Sequence, residues 1–255
     1  MQAVIMAGGE GSRLRPLTSN VPKPMLPVVN RPLMEHIIEL LRSHGITDIT
    51  ATVQFLASVI RNYFLDGSDL GVSLSYSTED VPLGTAGSVL NAKELLSGTF
   101  LVISGDALTD LDLTTVVDFH RSKGAAATLV LKRMADPLEF GIVMTSEDGR
   151  IERFLEKPTW GQVFTDTINT GIYVLEPEVL DLIPPDQPYD FSSELFPLML
   201  EKGLPLFGYI TEGYWTDVGN TETYLRAQAD ALEGKVAVRL KGFEYQAGVN
   251  VGEDV

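Results

Sequence analysis

The sequence predicts an α/β protein built on a doubly wound, mostly parallel but mixed sheet, and three observations carry that prediction. Short apolar runs alternate with amphipathic stretches through the first half of the chain, the order that lays strands side by side with helices on both faces. A glycine-rich turn follows the first apolar run directly, as in a strand-loop-helix unit. In the second half, Asp148-Gly149 between two β-like runs is a strong hairpin signal, so part of the sheet must be antiparallel.

Gln2–Ala7 reads as a buried strand. Leu33–His44 places Leu33, Ile37, Leu40 and Leu41 on one helical face and ends at Gly45. Ile46–Gln54 is rich in β-branched residues, Ser58–Leu65 is helix-like, and Val72–Glu79 alternates as a strand does. Ala86–Leu96 reads as a helix and Phe100–Ser104 as a short buried strand. Asp112 is placed to cap a helix beginning at Leu113. Beyond residue 124 come a strand at Ala125–Arg133, the hairpin of Gly141–Thr145 with Arg150–Leu155, and a strand at Ile168–Leu175. A helix near Ser192–Lys202, a strand at Pro205–Ile210 and a final helix at Thr221–Leu232 complete the run. From Val236 onward the chain changes character, with Val249, Gly252 and Val255 hinting at a six-residue rhythm.

Composition narrows the function. The 255 residues carry 19 Lys+Arg against 35 Asp+Glu, for a net charge of −16, with three His and no Cys. Such a charge repels nucleic acid and anionic lipid. No apolar run approaches the ~18–20 residues of a membrane helix, and no secretory signal pattern opens the chain, so a cytoplasmic protein is expected. Without Cys, and with three scattered His, any metal must be held by oxygen. His36, His44 and His120 fall on predicted helices, where packing or solvated positions are expected rather than ligation.

The charge is unevenly placed. Residues 1–31 hold Arg13, Arg15, Lys23 and Arg31 against Glu10 alone, a net +3, which leaves the remaining 224 residues at −19. Those cations surround the loop Gly8-Gly9-Glu10-Gly11-Ser12-Arg13, whose glycines let backbone N–H groups approach an anion. It is neither a P-loop, lacking Gly-Lys-[Ser/Thr], nor a dinucleotide fingerprint. A locally bound polyanionic ligand is the reading these residues support.

The loop Gly8-Gly9-x-Gly11-x-Arg13-Leu14-x-Pro16-Leu17-Thr18, followed by Pro22-Lys23-Pro24-Met25, resembles the signature of the sugar-1-phosphate nucleotidyltransferases. The resemblance continues in order through Leu83-Gly84-Thr85-Ala86-Gly87, Gly105-Asp106, Phe140-Gly141, Glu156-Lys157-Pro158, Asn169-Thr170-Gly171-Ile172-Tyr173 and Trp215-Thr216-Asp217-Val218-Gly219. It covers about residues 1–232, and the pattern is most similar to mannose-1-phosphate guanylyltransferases. The resemblance implies a Rossmann-like nucleotide-diphospho-sugar transferase fold for residues 1–232. It implies a linker and the opening of an incomplete hexapeptide-repeat, left-handed β-helix for residues 233–255.

The activity so implied is attack by a sugar 1-phosphate oxygen on the α-phosphorus of a nucleoside triphosphate with release of pyrophosphate. The nucleophile is already anionic, so the protein's task is positioning and charge neutralisation with Mg²⁺. The resemblance assigns catalytic roles to Arg13 and Lys23 on the triphosphate, with Arg15 as a helper. It assigns metal ligation to Asp106 and Asp217, and the nucleotide to Met6, Ala7, Gly8, Gly9, Gly11, Ser12, Arg13, Lys23, Glu79, Gly84, Thr85 and Ala86. The sugar phosphate is assigned to Gly141, Glu156, Lys157, Asn169 and Thr170. Glu79, or its neighbour Asp80, offers acceptor-only oxygens that suit the N1–H and N2–H₂ donors of guanine, which favours GTP. Mannose versus glucose stays open, and so does a homo-oligomer. The expected partners are the nucleotide and the sugar phosphate, with neither nucleic acid nor membrane among them.

Three other readings compete. One is a uridylyl- or thymidylyltransferase acting on glucose 1-phosphate. Another is a glycosyltransferase, because Asp110-Leu111-Asp112 has the Asp-x-Asp spacing of metal-dependent members on a related fold. The third is a non-catalytic subunit that senses nucleotide sugars. Neither of the last two requires the whole set Arg13, Lys23, Asp106, Lys157 and Asp217. Trp160 and Gln162, beyond Lys157, suit either a sugar-site flap or a crossing loop.

Overall fold

The structure is a computed structural model that describes residues 1–240, 243–246 and 249–251. Nine strands form one sheet: β1 (Gln2–Met6), β2 (Asp48–Val53), β3 (Ser73–Thr78), β4 (Phe100–Ser104), β5 (Ala127–Arg133), β6 (Gly141–Thr145), β7 (Ile151–Glu156), β8 (Thr167–Leu175) and β9 (Leu206–Ile210). The order β4-β1-β2-β3 is parallel throughout. β8 then runs antiparallel to β4 and to β5, and β9 pairs parallel with β5. The hairpin β6–β7 attaches to β8 through Ile142 and Ile168. The mixed second half expected from the Asp-Gly turn is therefore present.

Strands buried on both faces explain the continuous apolar runs. Along β1, Ala3 and Ile5 enter one core cluster while Val4 enters the other. The first cluster receives helices α1 (Leu33–Ser43), α2 (Ala57–Phe64) and α4 (Leu113–Lys123) through Ile37, Leu41, Ile60, Phe64 and Val116. The second receives α3 (Gly84–Asn91) and α5 (Phe196–Glu201) through Ala86, Val89, Phe196 and Met199. Helices on both faces make the sheet doubly wound, and each buried Val, Leu, Ile, Phe or Met side chain stabilises it by about 1.5–3 kcal/mol. A last helix, α6 (Thr221–Leu232), packs Ala227 and Ala231 against Leu33 and Val218 in a third, smaller cluster.

Two elements differ from the sequence reading for identifiable reasons. The helix expected to continue to Leu96 stops at Asn91 and resumes as a 3₁₀ turn at Lys93–Leu95. The helix near Ser192 starts with the wide turn Phe191–Leu195 before α5, because Pro197 has no N–H to give the regular ladder. Asp112 does cap α4, accepting from Thr114 N and Thr115 N. In the tail, Phe243–Gln246 and Val249–Val251 pair antiparallel, whereas β-helix coils pair in parallel, so the described residues do not supply the predicted β-helix start. Gly252 and Val255, which carry the rest of that rhythm, lie outside the described residues. No helix among the described residues is long and apolar enough to cross a membrane.

Candidate active site

The glycine-rich loop leaves the C-terminal end of β1, at the edge where open α/β sheets collect ligands. Gly11 adopts φ +63°, and a Cβ there would fall 3.0 Å from Lys23 Cβ and 3.1 Å from Thr18 Cγ2. A side chain at this position is thus both strained and crowded, while Thr18 donates its hydroxyl to Gly11 O at 2.8 Å and closes the turn. This turn brings the Lys23 side chain inward, 9% exposed, until Nζ lies 2.6 Å from Asp106 Oδ2 and 3.1 Å from Asp217 Oδ1.

Strand register explains why the two carboxylates meet. Asp106 follows β4, and Asp217 ends the short strand Trp215–Asp217, which pairs antiparallel with Ala107–Thr109 so that Asp217 stands opposite Ala107. Val218 N donates to Asp106 O at 3.0 Å, and Ser104 Oγ to Asp106 Oδ1 at 2.5 Å. Burial works against all three charges. For Lys23 the attraction of Asp106 and Asp217 outweighs it and raises the ammonium pKa, and for Asp106 the Lys23 charge outweighs it and lowers the carboxyl pKa. Asp217 goes the other way, pushed up by burial and then by the charge of Asp106. One ammonium therefore serves two carboxylates, leaving the pair short of positive charge.

That shortage is the fit test for a divalent cation. Among the described residues no group of three or more His, Asp or Glu forms a closed metal cage. Mg²⁺ does not need one, since it binds through one or two carboxylates and completes its shell with water and phosphate. Asp106 and Asp217, held on a single Nζ, fit that demand.

Two clefts open on either side of Asp106 and share it and Ser104 as wall residues. The larger, about 330 Å³, is lined by Met6, Gly8, Gly9, Glu79, Gly84 and Thr85 of the predicted nucleotide set, together with Gln54 and Asp190. Gly84 sits at φ +72°, and a Cβ would strike Tyr189 O at 2.6 Å, so the α3 N-terminus packs directly on backbone. Glu79 is 8% exposed, its Oε2 accepting Leu83 N–H at 3.1 Å. Burial pushes its carboxyl pKa up, against the Leu83 N–H. Its Oε1 lies 3.4 Å from where a Cβ on Gly8 would sit, whereas Asp80 is exposed and off this wall. Six predicted residues stand away from the lining, among them Arg13 and the Lys23 of the ion-pair cluster. Ala7 and Ala86 are core side chains whose N–H groups bond Thr52 O and Tyr189 O, Gly11 packs against Thr18, and Ser12 is exposed.

The smaller cleft, about 180 Å³, contains Gly141, Glu156, Asn169 and Thr170 as the sequence predicts. A Cβ on Gly141 would lie 2.6 Å from Glu156 Oε2 and 2.7 Å from Phe154 Cζ, which explains the glycine. Glu156 Oε2 is buried with no hydrogen-bond partner. Burial and then the charge of Asp190 raise the Glu156 pKa, opposed by Lys157 and the Ser192 hydroxyl. Asn169 Nδ2 donates to Tyr173 OH at 3.0 Å and Ser192 Oγ at 3.1 Å, and Thr170 donates its hydroxyl to Val130 O at 2.7 Å. Trp215, packed edge-on against Phe140, also lines this cleft and leaves its buried Nε1–H unpaired. Lys157 is exposed and outside the lining, held at φ +43° with its N–H on Phe140 O.

Arg13 stands at the mouth, 3.5 Å from Glu139, with both side chains mostly exposed. Such a pair is worth about 0–1 kcal/mol and leaves the guanidinium free to engage a ligand. Among the described residues Arg15 pairs with Glu10 at 3.5 Å, also exposed. Sequence reasoning missed Gln54, Asp190 and Ser192. The Asp190-Phe-Ser-Ser-Glu194 capping pattern was the available signal for the last two, since Asp190 accepts from Ser192 N and Ser193 N while its own N–H bonds Glu194.

Comparison with known proteins agrees with this geometry. A family model described as nucleotidyl transferase matches residues 2–234. UTP–glucose-1-phosphate uridylyltransferase of Synechocystis sp. is 41% identical over 270 residues, covering 100% of this chain and 70% of that protein. Mannose-1-phosphate guanylyltransferase of Mycobacterium tuberculosis is 41% identical over 236 residues, covering 92% of this chain and 65% of that protein, so the chain spans about two thirds of such relatives. Among solved structures, a protein described as a glucose-1-phosphate thymidylyltransferase from Bacillus anthracis superposes with a TM-score of 0.81 at 28% identity, covering 91% of this chain and 95% of the other. HddC from Yersinia pseudotuberculosis, complexed with GMP-PN, gives 0.77 at 25% identity, covering 90% and 99%. The chain belongs to the nucleotidyl transferase family, in its sugar-1-phosphate nucleotidyltransferase branch.

Proposed function

We propose that this protein transfers the nucleoside monophosphate of GTP to mannose 1-phosphate, forming GDP-mannose and pyrophosphate. The observation that carries the reading is the pair of clefts meeting at Asp106, with Lys23 buried at the junction. The larger cleft takes the nucleotide and the smaller the sugar phosphate. A phosphate oxygen of the sugar attacks the α-phosphorus, the bond from that phosphorus to the oxygen bridging to the β-phosphorus breaks, and pyrophosphate leaves with its electron pair. No proton transfer is needed.

The protein's contribution is to hold two repelling anions in line. Arg13, free at the mouth, grips triphosphate oxygens, and Lys23 meets the charge that builds at the α-phosphorus. Lys157, exposed beside Glu156, engages the sugar phosphate. Glu156 Oε2, Asn169 and the Trp215 N–H offer unpaired or exchangeable hydrogen-bonding groups to sugar hydroxyls. Asp106 and Asp217 would hold Mg²⁺, which supplies charge neutralisation on the phosphates when bound.

The base assignment rests on Glu79. Its carboxylate is an acceptor-only wall of the nucleotide cleft, suited to guanine's adjacent donors. A second reading, UTP with glucose 1-phosphate, is favoured by the Synechocystis relative, which aligns with the full chain. A matrix of nucleoside triphosphates against sugar 1-phosphates, scored for pyrophosphate, separates the two. Release strongest with GTP and mannose 1-phosphate is expected, and release confined to UTP or dTTP with glucose 1-phosphate would overturn the assignment.

A further inference from the structure

The clefts are joined by a second route, the segment Tyr189–Ser192, which touches the nucleotide wall with its first half and the sugar wall with its second. Tyr189 O accepts from Ala86 N at 2.9 Å and Gly87 N at 3.0 Å, and Tyr189 N donates to Leu83 O at 2.8 Å, so this backbone clasps the N-terminal turn of α3. Asp190 uses its two oxygens separately. Oδ2 accepts the Thr85 hydroxyl at 2.6 Å, and the Thr85 oxygen in return accepts Phe191 N–H at 2.9 Å. Oδ1 accepts Ser192 N at 2.8 Å and Ser193 N at 3.0 Å. Ser192 Oγ then receives the Asn169 amide at 3.1 Å inside the sugar cleft.

From this chain of contacts we infer that Asp190 is a positioning residue that couples nucleotide binding to sugar-phosphate binding, an inference that rests on the reading of the two clefts above. Thr85 lines the larger cleft and Ser192 the smaller, and one carboxylate holds both. Bonds to an ionised carboxylate are short and about twice as strong as neutral ones, so the position of Thr85 dictates that of the Ser192 turn. Gly84 and Gly87 remove the slack from the clasp, because a Cβ on either would sit 2.6 Å from Tyr189 O or 3.3 Å from Gln187 O. A nucleotide that settles against Pro82, Gly84 and Thr85 therefore sets the turn carrying Ser192, and with it the amide of Asn169. Coupling of this kind between sites is typically about 5- to 150-fold in affinity and is reciprocal.

Thr85→Val separates the link from the cap, since it removes the donor to Oδ2 while Oδ1 still holds Ser192 and Ser193. Thr85→Ser keeps the hydroxyl and serves as the conservative rescue. The measurement is the calorimetric affinity for mannose 1-phosphate in the absence and presence of a saturating non-reactive α,β-methylene GTP with Mg²⁺. The readout is the ratio of the two affinities, which a uniform loss of binding does not move. Wild type and Thr85→Ser are expected to show a ratio of at least about 5, and Thr85→Val and Asp190→Asn a ratio falling toward 1. A ratio in Thr85→Val and Asp190→Asn equal to that of wild type, or a wild-type ratio of 1, would overturn the coupling while leaving the nucleotidyltransferase reading intact. Failure of the wild type to release pyrophosphate from any nucleotide and sugar 1-phosphate pair would instead overturn that reading and the coupling with it.

Discussion

Lys23 Nζ lies 2.6 Å from Asp106 Oδ2, an ion pair that joins residues 83 positions apart at the point where the two clefts meet. Asp217 shares the same ammonium at 3.1 Å, so a single positive charge stands where the account places both a phosphate-binding lysine and a pair of metal ligands.

Removing that ammonium has two consequences of opposite sign. Lys23→Ala is expected to lower kcat by about 100-fold or more, the scale of losing one well-placed transition-state charge. It also leaves Asp106 and Asp217 without their counter-ion, so Mg²⁺ should raise the Tm of the variant by more than it raises that of wild type. Differential scanning fluorimetry with and without Mg²⁺ checks this, and a smaller Mg²⁺ shift in the variant would contradict the shared site.

Glu156 trades stability for binding. Its folded pKa is raised above the ordinary value near 4.5, chiefly by burial, so its stabilising contribution is complete below that value and is lost as pH rises through the folded pKa. Above the ordinary carboxylate range the group is therefore a burden that Glu156→Gln relieves. The variant is expected to be more stable than wild type by about 0.5–2 kcal/mol at pH 7, with the gap closing as pH falls below the ordinary carboxylate range. Its KM for the sugar 1-phosphate should rise at the same time. Denaturant melts at pH 7 and pH 4 together with steady-state kinetics check both halves.

Arg31 tests the frame rather than the site. The guanidinium is 2% exposed, 2.8 Å from Glu35 Oε1, Glu39 Oε2 and Arg239 O. Arg31→Met removes the counter-ion of buried Glu35 and half-buried Glu39 and should cost about 3–5 kcal/mol, a drop in Tm of roughly 6–20 °C at about 2–4 °C per kcal/mol. Turnover measured where the variant is still folded should be unchanged.

Fluorescence can report the smaller cleft alone. The chain has two tryptophans, Trp160 at 63% exposure and Trp215 at 6% with its N–H unpaired beside the sugar wall. In Trp160→Phe, saturating mannose 1-phosphate should shift the Trp215 emission, and an unchanged spectrum would remove Trp215 from the sugar site.

Much of this was legible in the chain itself because the signals are local. The run Phe100–Ser104 before Asp106, the Gly-Gly-x-Gly-x-Arg loop and the Asp148-Gly149 turn each act through neighbours in sequence, and each lies where its pattern put it. Glu79 could be told from Asp80 only by burial, since both lie beyond the end of β3, where the chain buries one and exposes the other. The capping pattern could mark Asp190 as a turn residue, but not its bond to Thr85, which is 105 positions away. The pairing of Asp217 with Lys23 depends on the register of a three-residue strand, which no local pattern specifies. The wide turn before α5 followed from Pro197, a residue in plain view whose missing N–H displaces the helix start only once the turn is packed.

The most direct test of the central claim compares kcat/KM for GTP and UTP, each with mannose 1-phosphate and Mg²⁺, in wild type and in Glu79→Gln. The account predicts that wild type prefers GTP by at least about tenfold, a difference of about 1.4 kcal/mol, and that the amide narrows this preference. A wild type that prefers UTP, or a preference that Glu79→Gln leaves untouched, would contradict it.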